Sequence, residues 1–297
     1  MKEEKNYLIP EVLSKLSNLE LKARMIVEGF ITGLHKSPYH GFSVEFAEYR
    51  PYIPGDEIKN IDWKVFGRTD RFYLKEYEEE TNLKSYILLD TSESMGYSSG
   101  GLTKLEYGTY LTAALTFLML KQRDAVGLTI FDDKIRKFLP PRSVMSYLSL
   151  ILKEAQRAKP GSKTNISNTL HILAERIKRR GLIILISDLI DIPEAVITGL
   201  KHFRHMKHEV LIFHILDPNE INFPFRKDYI IEDMETKERM EIQARFIAKN
   251  YKDMLNNFIN FYKKACRENS IDYCFLDTST PFDQSLYRFL LKREKMM

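Results

Sequence analysis

The sequence predicts an α/β fold: a doubly wound, mostly parallel six-stranded sheet, with an N-terminal helix and a small β-rich extension ahead of it. Two observations predict this. From residue 84 onward, apolar runs of strand length alternate with periodic stretches of helix length. The runs themselves, such as Leu182 to Ile186, are apolar at nearly every position, as strands covered on both faces are. The chain has 297 residues, 44% of them hydrophobic and 29% charged, enough for a substantial core.

The elements follow in order. Between Pro10 and Leu34, Leu13, Leu16, Leu19, Ala23, Ile26, Phe30 and Leu34 recur at steps of three and four, the spacing of one helix face. From Gly41 to Thr81 the chain is rich in Phe, Tyr, Arg and Glu, with turns at Pro54-Gly55 and Gly67, and reads as short strands and ordered loops. The alternating part begins with a strand over Ser85 to Asp90 and a helix over Lys104 to Lys121. A strand over Ala125 to Phe131 and an edge strand over Lys134 to Leu139 come next. Helices are predicted over Val144 to Ala158, Ile166 to Arg179 and Pro193 to Phe203, and strands over Leu182 to Ile186 and Val210 to Leu216. A polar hairpin pairs Tyr229 to Ile231 with Arg239 to Ile242. A long helix then places Ile247, Tyr251, Met254, Phe258, Phe261 and Ala265 on one face. A strand over Ile271 to Leu276 and a helix over Pro281 to Lys292 close the chain. This gives an N-terminal segment, 1–82, and an α/β domain, 83–297, with a hairpin insertion at 217–243.

Composition narrows the function. Forty-five basic and 41 acidic residues leave a net charge of +4, spread along the chain. No basic arm or polybasic anchor stands out, so nucleic acid is not an expected partner. The two cysteines, Cys266 and Cys274, make no disulfide framework and read as small core residues. No apolar signal core follows Met1-Lys2-Glu3-Glu4-Lys5, and no apolar run is long enough for a membrane span. A cytoplasmic protein is expected.

The sharpest motif is Asp90-Thr91-Ser92-Glu93-Ser94, of the form Asp-x-Ser-x-Ser, at the end of an apolar strand. One carboxylate and two hydroxyls on a single turn offer hard oxygen ligands of the kind magnesium prefers. Alone, the pattern is equally a helix-capping turn. It gains weight from a second strand that runs into Ser187-Asp188, and from the loop Gly161-Ser162-Lys163-Thr164-Asn165, which presents a threonine hydroxyl. Doubly wound sheets bind ligands beyond the carboxyl ends of the strands, where the strand order reverses. With the order 3-2-1-4-5-6, that point lies between the strands leading into Asp90 and Asp188.

Asp90, Ser92, Ser94, Thr164 and Asp188 together resemble the metal-ion-dependent adhesion site of von Willebrand factor A domains. The resemblance implies a bound Mg2+ or Mn2+. In that family the serines and the threonine supply hydroxyl ligands, and the carboxylates bind directly or through water. The sixth position is left for an acidic group of a protein partner.

A second resemblance covers most of the chain. Arg50-Pro51-Tyr52, Gly55-Asp56, Ile61-Asp62-Trp63-Lys64, Arg68-Thr69, Lys75 and Glu76 are similar to the bacterial domain-of-unknown-function 58 family. Ile271-Asp272-Tyr273, Thr278 and Pro281-Phe282 are compatible with it. That resemblance implies a role beside a MoxR-type AAA+ ATPase, in assembling or activating other proteins. The alternative from a different class is a metal-dependent phosphoester hydrolase. Asp90 and Asp188 would hold the metal there, and Asp56 or Asp62 would act as base. The hydroxyl-rich ligand set disfavours it, because such a metal lacks anionic ligands and suits gripping an outside carboxylate.

Other features read more plainly. Asp56, Asp62, Trp63 and Arg68 fit a buried network of Asp–Arg pairs around a half-buried tryptophan. Glu76 to Glu80 reads as a solvated acidic edge, with capping of the metal in cis as the bolder alternative. Gly96 to Gly101 resembles a phosphate loop but lacks the Lys-Ser/Thr pair, and is expected to be a flexible loop without a nucleotide. His202, His205 and His208 read as a solvated helix end rather than a metal cluster. No histidine is placed by spacing to activate Ser92 or Ser94 as a nucleophile.

Overall fold

The computed structural model describes residues 10–14, 16–35, 50–51, 66–68, 70, 72–74, 84–161, 165–232 and 238–294. Two helices, α1 (Pro10–Ser14) and α2 (Leu19–His35), come first. The single expected helix is therefore interrupted. Asn18 explains the restart: its Oδ1 accepts from the Leu21 N–H at 3.1 Å, an N-cap that opens α2. Strands β1 (Arg50–Pro51) and β2 (Tyr73–Leu74) pair antiparallel, with Arg50 opposite Leu74. Asp56, Asp62, Trp63 and the run Glu76 to Glu80 lie outside the described residues. Arg68 is described and exposed, unlike the buried partner expected of it.

The main sheet begins with β3 (Lys84–Asp90), followed by α3 (Lys104–Lys121), β4 (Ala125–Phe131) and β5 (Ile135–Arg142). Then come α4 (Tyr147–Arg157), α5 (Ile166–Arg176), β6 (Leu182–Ser187), α6 (Pro193–His205) and β7 (Glu209–Leu216). The short α7 (Pro218–Asn222) leads to a hairpin of β8 (Asp228–Glu232) and β9 (Arg239–Gln243). The long α8 (Ala244–Glu268), β10 (Asp272–Asp277) and α9 (Phe282–Glu294) complete the chain. Among the described residues, no helix is long and apolar enough to cross a membrane.

The six-stranded sheet has the order β10-β7-β6-β3-β4-β5. All neighbouring pairs are parallel except β4 with β5. This is the doubly wound arrangement read from the sequence, and its order reverses between β3 and β6. Strand alternation assigns side chains to two layers. Ile87, Leu89, Ile184 and Ile186 join the core beneath α2, α3, α4 and α9. Tyr86, Leu88, Ile183 and Leu185 join the core beneath α5, α6 and α8. Leu13, Leu19, Ala23, Ile26 and Phe30 of the N-terminal helices belong to the first of these cores.

Helix α3 is buried nearly all round, because α2, α4 and α9 cover what the sheet does not. It approaches the sheet closely at Gly108. A Cβ there would lie 3.0 Å from a methyl of Ile186 and 3.2 Å from one of Leu89. At the antiparallel edge, β5 carries Pro140 and Pro141, tolerated because an edge strand has an unpaired side.

Two expectations need correcting. Met254 is 72% exposed, so it lies off the packed face of α8, where Phe258, Phe261 and Ala265 pack as expected beside the buried Ile259, Tyr262 and Cys266. His208 is fully buried rather than solvated. Its Nε2 lies 2.9 Å from the Ile177 carbonyl, and its ring meets Phe203 and Tyr86 edge-on. The turn of α6 into β7 carries it inward, which helical spacing could not show. Both cysteines are free and buried, as expected.

Two predictions follow from this packing. Gly108→Val adds a branched side chain against Ile186 and Leu89, and is expected to destabilise the fold by about 2 kcal/mol in urea unfolding. Burial holds the His208 pKa below the ordinary 6.5, against the opposing bonds to Ile177 and Gly181. A depressed folded-state pKa gives stability that is complete above the unfolded value and lost as pH falls. Wild type is expected to lose stability as pH falls below about 6.5, and His208→Gln to lose less. Identical slopes for the two proteins would remove His208 as a cause.

Candidate metal centre

Asp90 is the last residue of β3, where the apolar run of that strand ends at the reversal point of the sheet. Its carboxylate is fully buried and held from two sides. The Ser92 N–H donates to Oδ1 at 2.8 Å, and the Ser187 hydroxyl donates to Oδ2 at 2.6 Å. The second bond crosses from β3 to β6. Burial, then the charge of Asp188, pushes the Asp90 carboxyl up to about 7, while the bonds from Ser187 and Ser92 oppose the rise. Two acids are thus brought together away from water.

Ser92 precedes, and Ser94 lies within, a single 3-10 turn over Glu93–Gly96. Ser92 occupies the capping position but makes no side-chain capping bond. Its hydroxyl instead stands 3.1 Å from that of Ser94. The simple capping explanation of Asp-x-Ser-x-Ser therefore does not account for Ser92. Thr91 points the other way and donates its hydroxyl to the Phe131 carbonyl at 2.9 Å, fixing the turn to the end of β4.

Asp188 follows β6 and is fully buried. Its Oδ1 accepts from the Ile190 N–H at 3.3 Å. The next residue, Leu189, is buried with φ of 56°, a left-handed conformation that costs a non-glycine residue about 1–2 kcal/mol. The Ser187 hydroxyl accepts the Leu189 N–H at 2.9 Å, and Tyr262 donates its hydroxyl to the Leu189 carbonyl at 3.2 Å. These contacts hold the strained turn that carries Asp188.

Thr164 lies outside the described residues, with Ser162 and Lys163. Both flanks of its loop are anchored near the site. The Gly161 N–H donates to the Thr91 carbonyl at 2.6 Å. A Cβ at Gly161 would fall 2.2 Å from Asp132 Oδ2, so only glycine fits against that side chain without displacing it. Downstream, Asn165 caps α5, and the Ser167 N–H donates to Asp191 Oδ2 at 3.1 Å, tying α5 to the loop after Asp188.

Three polar residues here were not singled out from the sequence: Lys104, Ser187 and Glu220. Lys104 is fully buried at the start of α3. Its ammonium lies 2.8 Å from Asp188 Oδ2 and 2.7 Å from Glu220 Oε1. Burial alone would lower its pKa, but the two carboxylates outweigh burial and raise it. Local sequence marks only the helix starts that carry Lys104 and Glu220, not their burial. Thr103 and Glu106 form a capping box that fixes Lys104 as the first helical residue. Asp217 and Glu220 form another that fixes α7. The Ser99 N–H also donates to Asp217 Oδ2 at 2.9 Å. The Gly96 to Gly101 stretch, expected to be flexible, is therefore tied down, with Ser98 Oγ donating to the Gly101 carbonyl at 3.0 Å as well.

The donor set suits a hard divalent cation. Octahedral magnesium with bonds of 2.0–2.1 Å places adjacent ligand oxygens about 3 Å apart. The Ser92 and Ser94 hydroxyls have that separation, 3.1 Å. Among the described residues, no group of three or more His, Cys, Asp or Glu side chains is placed to hold a metal, so a cation here would depend on hydroxyl ligands. Among the described histidines, His171 and His202 face each other with their Nδ1 atoms 3.5 Å apart, while His208 turns into the core.

Comparison with known proteins places the chain. An uncharacterized protein of Mycobacterium tuberculosis, Rv1480, is 25% identical over 232 residues, covering 76% of this chain and 72% of its own. The solved structure of BatB from Bacteroides thetaiotaomicron is similar over 71% of this chain and 99% of its own, at 14% identity and a TM-score of 0.48. The SpRpn10 VWA domain is similar over 69% of this chain and 93% of its own, at 13% identity and a TM-score of 0.39. The model of the family described as "Protein of unknown function DUF58" matches residues 48–256, most of the chain, and the chain belongs to that family.

Proposed function

We propose that this chain is a protein-binding module that grips an acidic side chain of its partner through a divalent cation. Asp90, Ser92, Ser94, Thr164 and Asp188 would hold Mg2+ or Mn2+, and the partner's Asp or Glu would complete the coordination. The observation that carries this reading is the meeting of Asp90 and Asp188, both fully buried, at the reversal point of the sheet, with two serine hydroxyls 3.1 Å apart beside Asp90. Doubly wound sheets bind their ligands at that point. A bound cation would supply the positive charge that draws the partner's carboxylate. The protein's own contribution is to fix its oxygen donors in advance, through Ser187 on Asp90 and the strained turn at Leu189 after Asp188.

The surroundings suit a protein partner. Ile190 and Ile192, in the loop after Asp188, are 44% and 65% exposed. Apolar side chains beside a polar anchor are what a protein interface uses. The partner proposed from family resemblance is a MoxR-type AAA+ ATPase, with this chain acting as its adaptor.

The first test is calorimetric titration of magnesium and manganese into metal-free protein. Wild type is expected to bind, and Asp90→Ala to lose binding while keeping its circular dichroism spectrum. Binding that persists in Asp90→Ala would sink the metal assignment. The second test is a pull-down of purified MoxR-type ATPase. Capture is expected with wild type in magnesium, and loss with chelator, with Asp90→Ala, or when the ATPase's surface acid is replaced by its amide. Capture indifferent to all three would remove the bridging mechanism.

A further inference from the structure

Lys104 occupies a place that disfavours a cation twice over. It opens α3, where the aligned peptide dipoles leave a positive end. Its side chain is also shut away from water, where an ammonium persists only if paired and hydrogen-bonded. The pairing is there: Asp188 Oδ2 at 2.8 Å and Glu220 Oε1 at 2.7 Å. The ring of Tyr97 adds a face 5.9 Å from Nζ. Apolar residues such as Leu105 and Leu111 fill neighbouring space in the same helix, so bulk alone does not call for a lysine. The charge is the property this position supplies.

We propose that Lys104 is the internal cation that keeps the site dependent on an outside carboxylate. By pairing with Asp188 Oδ2, it offsets part of the negative charge that Asp188 would lend to a bound divalent cation. That cation is left incompletely neutralised and therefore receptive to a partner's acid. Glu220 sets the strength of this hold, because it draws the same ammonium away from Asp188. The inference rests on the reading of Asp90, Ser92, Ser94, Thr164 and Asp188 as a metal centre, and assigns Lys104 and Glu220 the role of tuning it. Without Lys104, three carboxylates would converge on one buried region, a charge set suited to a tightly held resident cation. With it, the site holds its metal loosely until a partner arrives.

Two substitutions then act in opposite directions. Lys104→Met removes a positive charge beside the metal and frees Asp188. Glu220→Gln leaves the ammonium to Asp188 alone and subtracts a nearby negative charge. A lysine that served packing only would leave binding unchanged in Lys104→Met, whose side chain fills similar space.

The experiment is titration of Mn2+ into the metal-free full chain, with free Mn2+ followed by electron paramagnetic resonance and folding checked by urea unfolding. Lys104→Met is expected to bind at least ~10-fold more tightly than wild type, and Glu220→Gln at least ~3-fold more weakly, given the strength of Coulomb terms between charges a few ångströms apart. Equal or weaker binding by folded Lys104→Met overturns the proposal. If Lys104→Met fails to fold, Lys104→Gln takes its place under the same criterion, and unchanged affinity in Glu220→Gln overturns the proposal independently. Wild-type binding that is lost in Asp90→Ala without the opposed shifts leaves the metal centre standing and removes only the role of Lys104. No Mn2+ binding by wild type removes both.

Discussion

The register between β3 and β6 is the constraint on which the rest of the site depends. The two strands run parallel with Leu89 beside Ile186, which brings the ends of both strands level. Asp90 and Ser187 then meet across the gap in a 2.6 Å hydrogen bond. A shift of one residue would turn every side chain of a strand to the other layer and take both hydroxyl and carboxylate out of reach. The two cores guard against that shift, since each draws alternate residues from both strands. Polar geometry at the strand ends is thus fixed by apolar packing along their length.

Much of this was legible in the sequence. Continuous apolar runs separated by helical periods gave the parallel sheet and set its parallel strands within one residue, while the edge strand runs three residues past its expected end, through Pro140 and Pro141 to Arg142. The doubly wound order 3-2-1-4-5-6 taken for such a fold is the order found. Asp90, Ser92 and Asp188 stood out because an acid or hydroxyl at the end of an apolar run has no place in a core without a reason. What stayed hidden was of a different kind. Lys104 looked like an ordinary lysine at the start of a helix, because nothing local says that α3 is covered on all sides. Asn18 looked like one more polar residue within an amphipathic stretch. His208 and Met254 were misplaced because a turn can rotate one residue inward and a long helix can outrun the body it packs on. In each case the missing information was tertiary: which surfaces other elements would cover.

Electrostatically, the site is built as a compromise. Asp90 and Asp188 are both withdrawn from water, a costly arrangement for like charges. The molecule meets that cost with directed donors rather than with solvent: a serine hydroxyl, backbone N–H groups and one buried ammonium. The same ammonium reaches Glu220 on α7, the short helix that leads into the β8–β9 hairpin. Tyr251 of α8 donates to the Glu220 carbonyl at 2.8 Å, so the insertion, the long helix and the centre are linked through a handful of polar contacts.

The prolines on β5 have a consequence for how the molecule meets others. An open sheet can recruit an extended segment from another chain by main-chain pairing along its rim. Pro140 and Pro141 lack the N–H groups that such pairing needs, and they sit in the rim strand. That rim resists lateral growth, whether by a peptide ligand or by a second sheet in an aggregate. The opposite rim, β10, carries no such block in Asp272–Asp277, so the two sides of the sheet differ in what backbone pairing they permit.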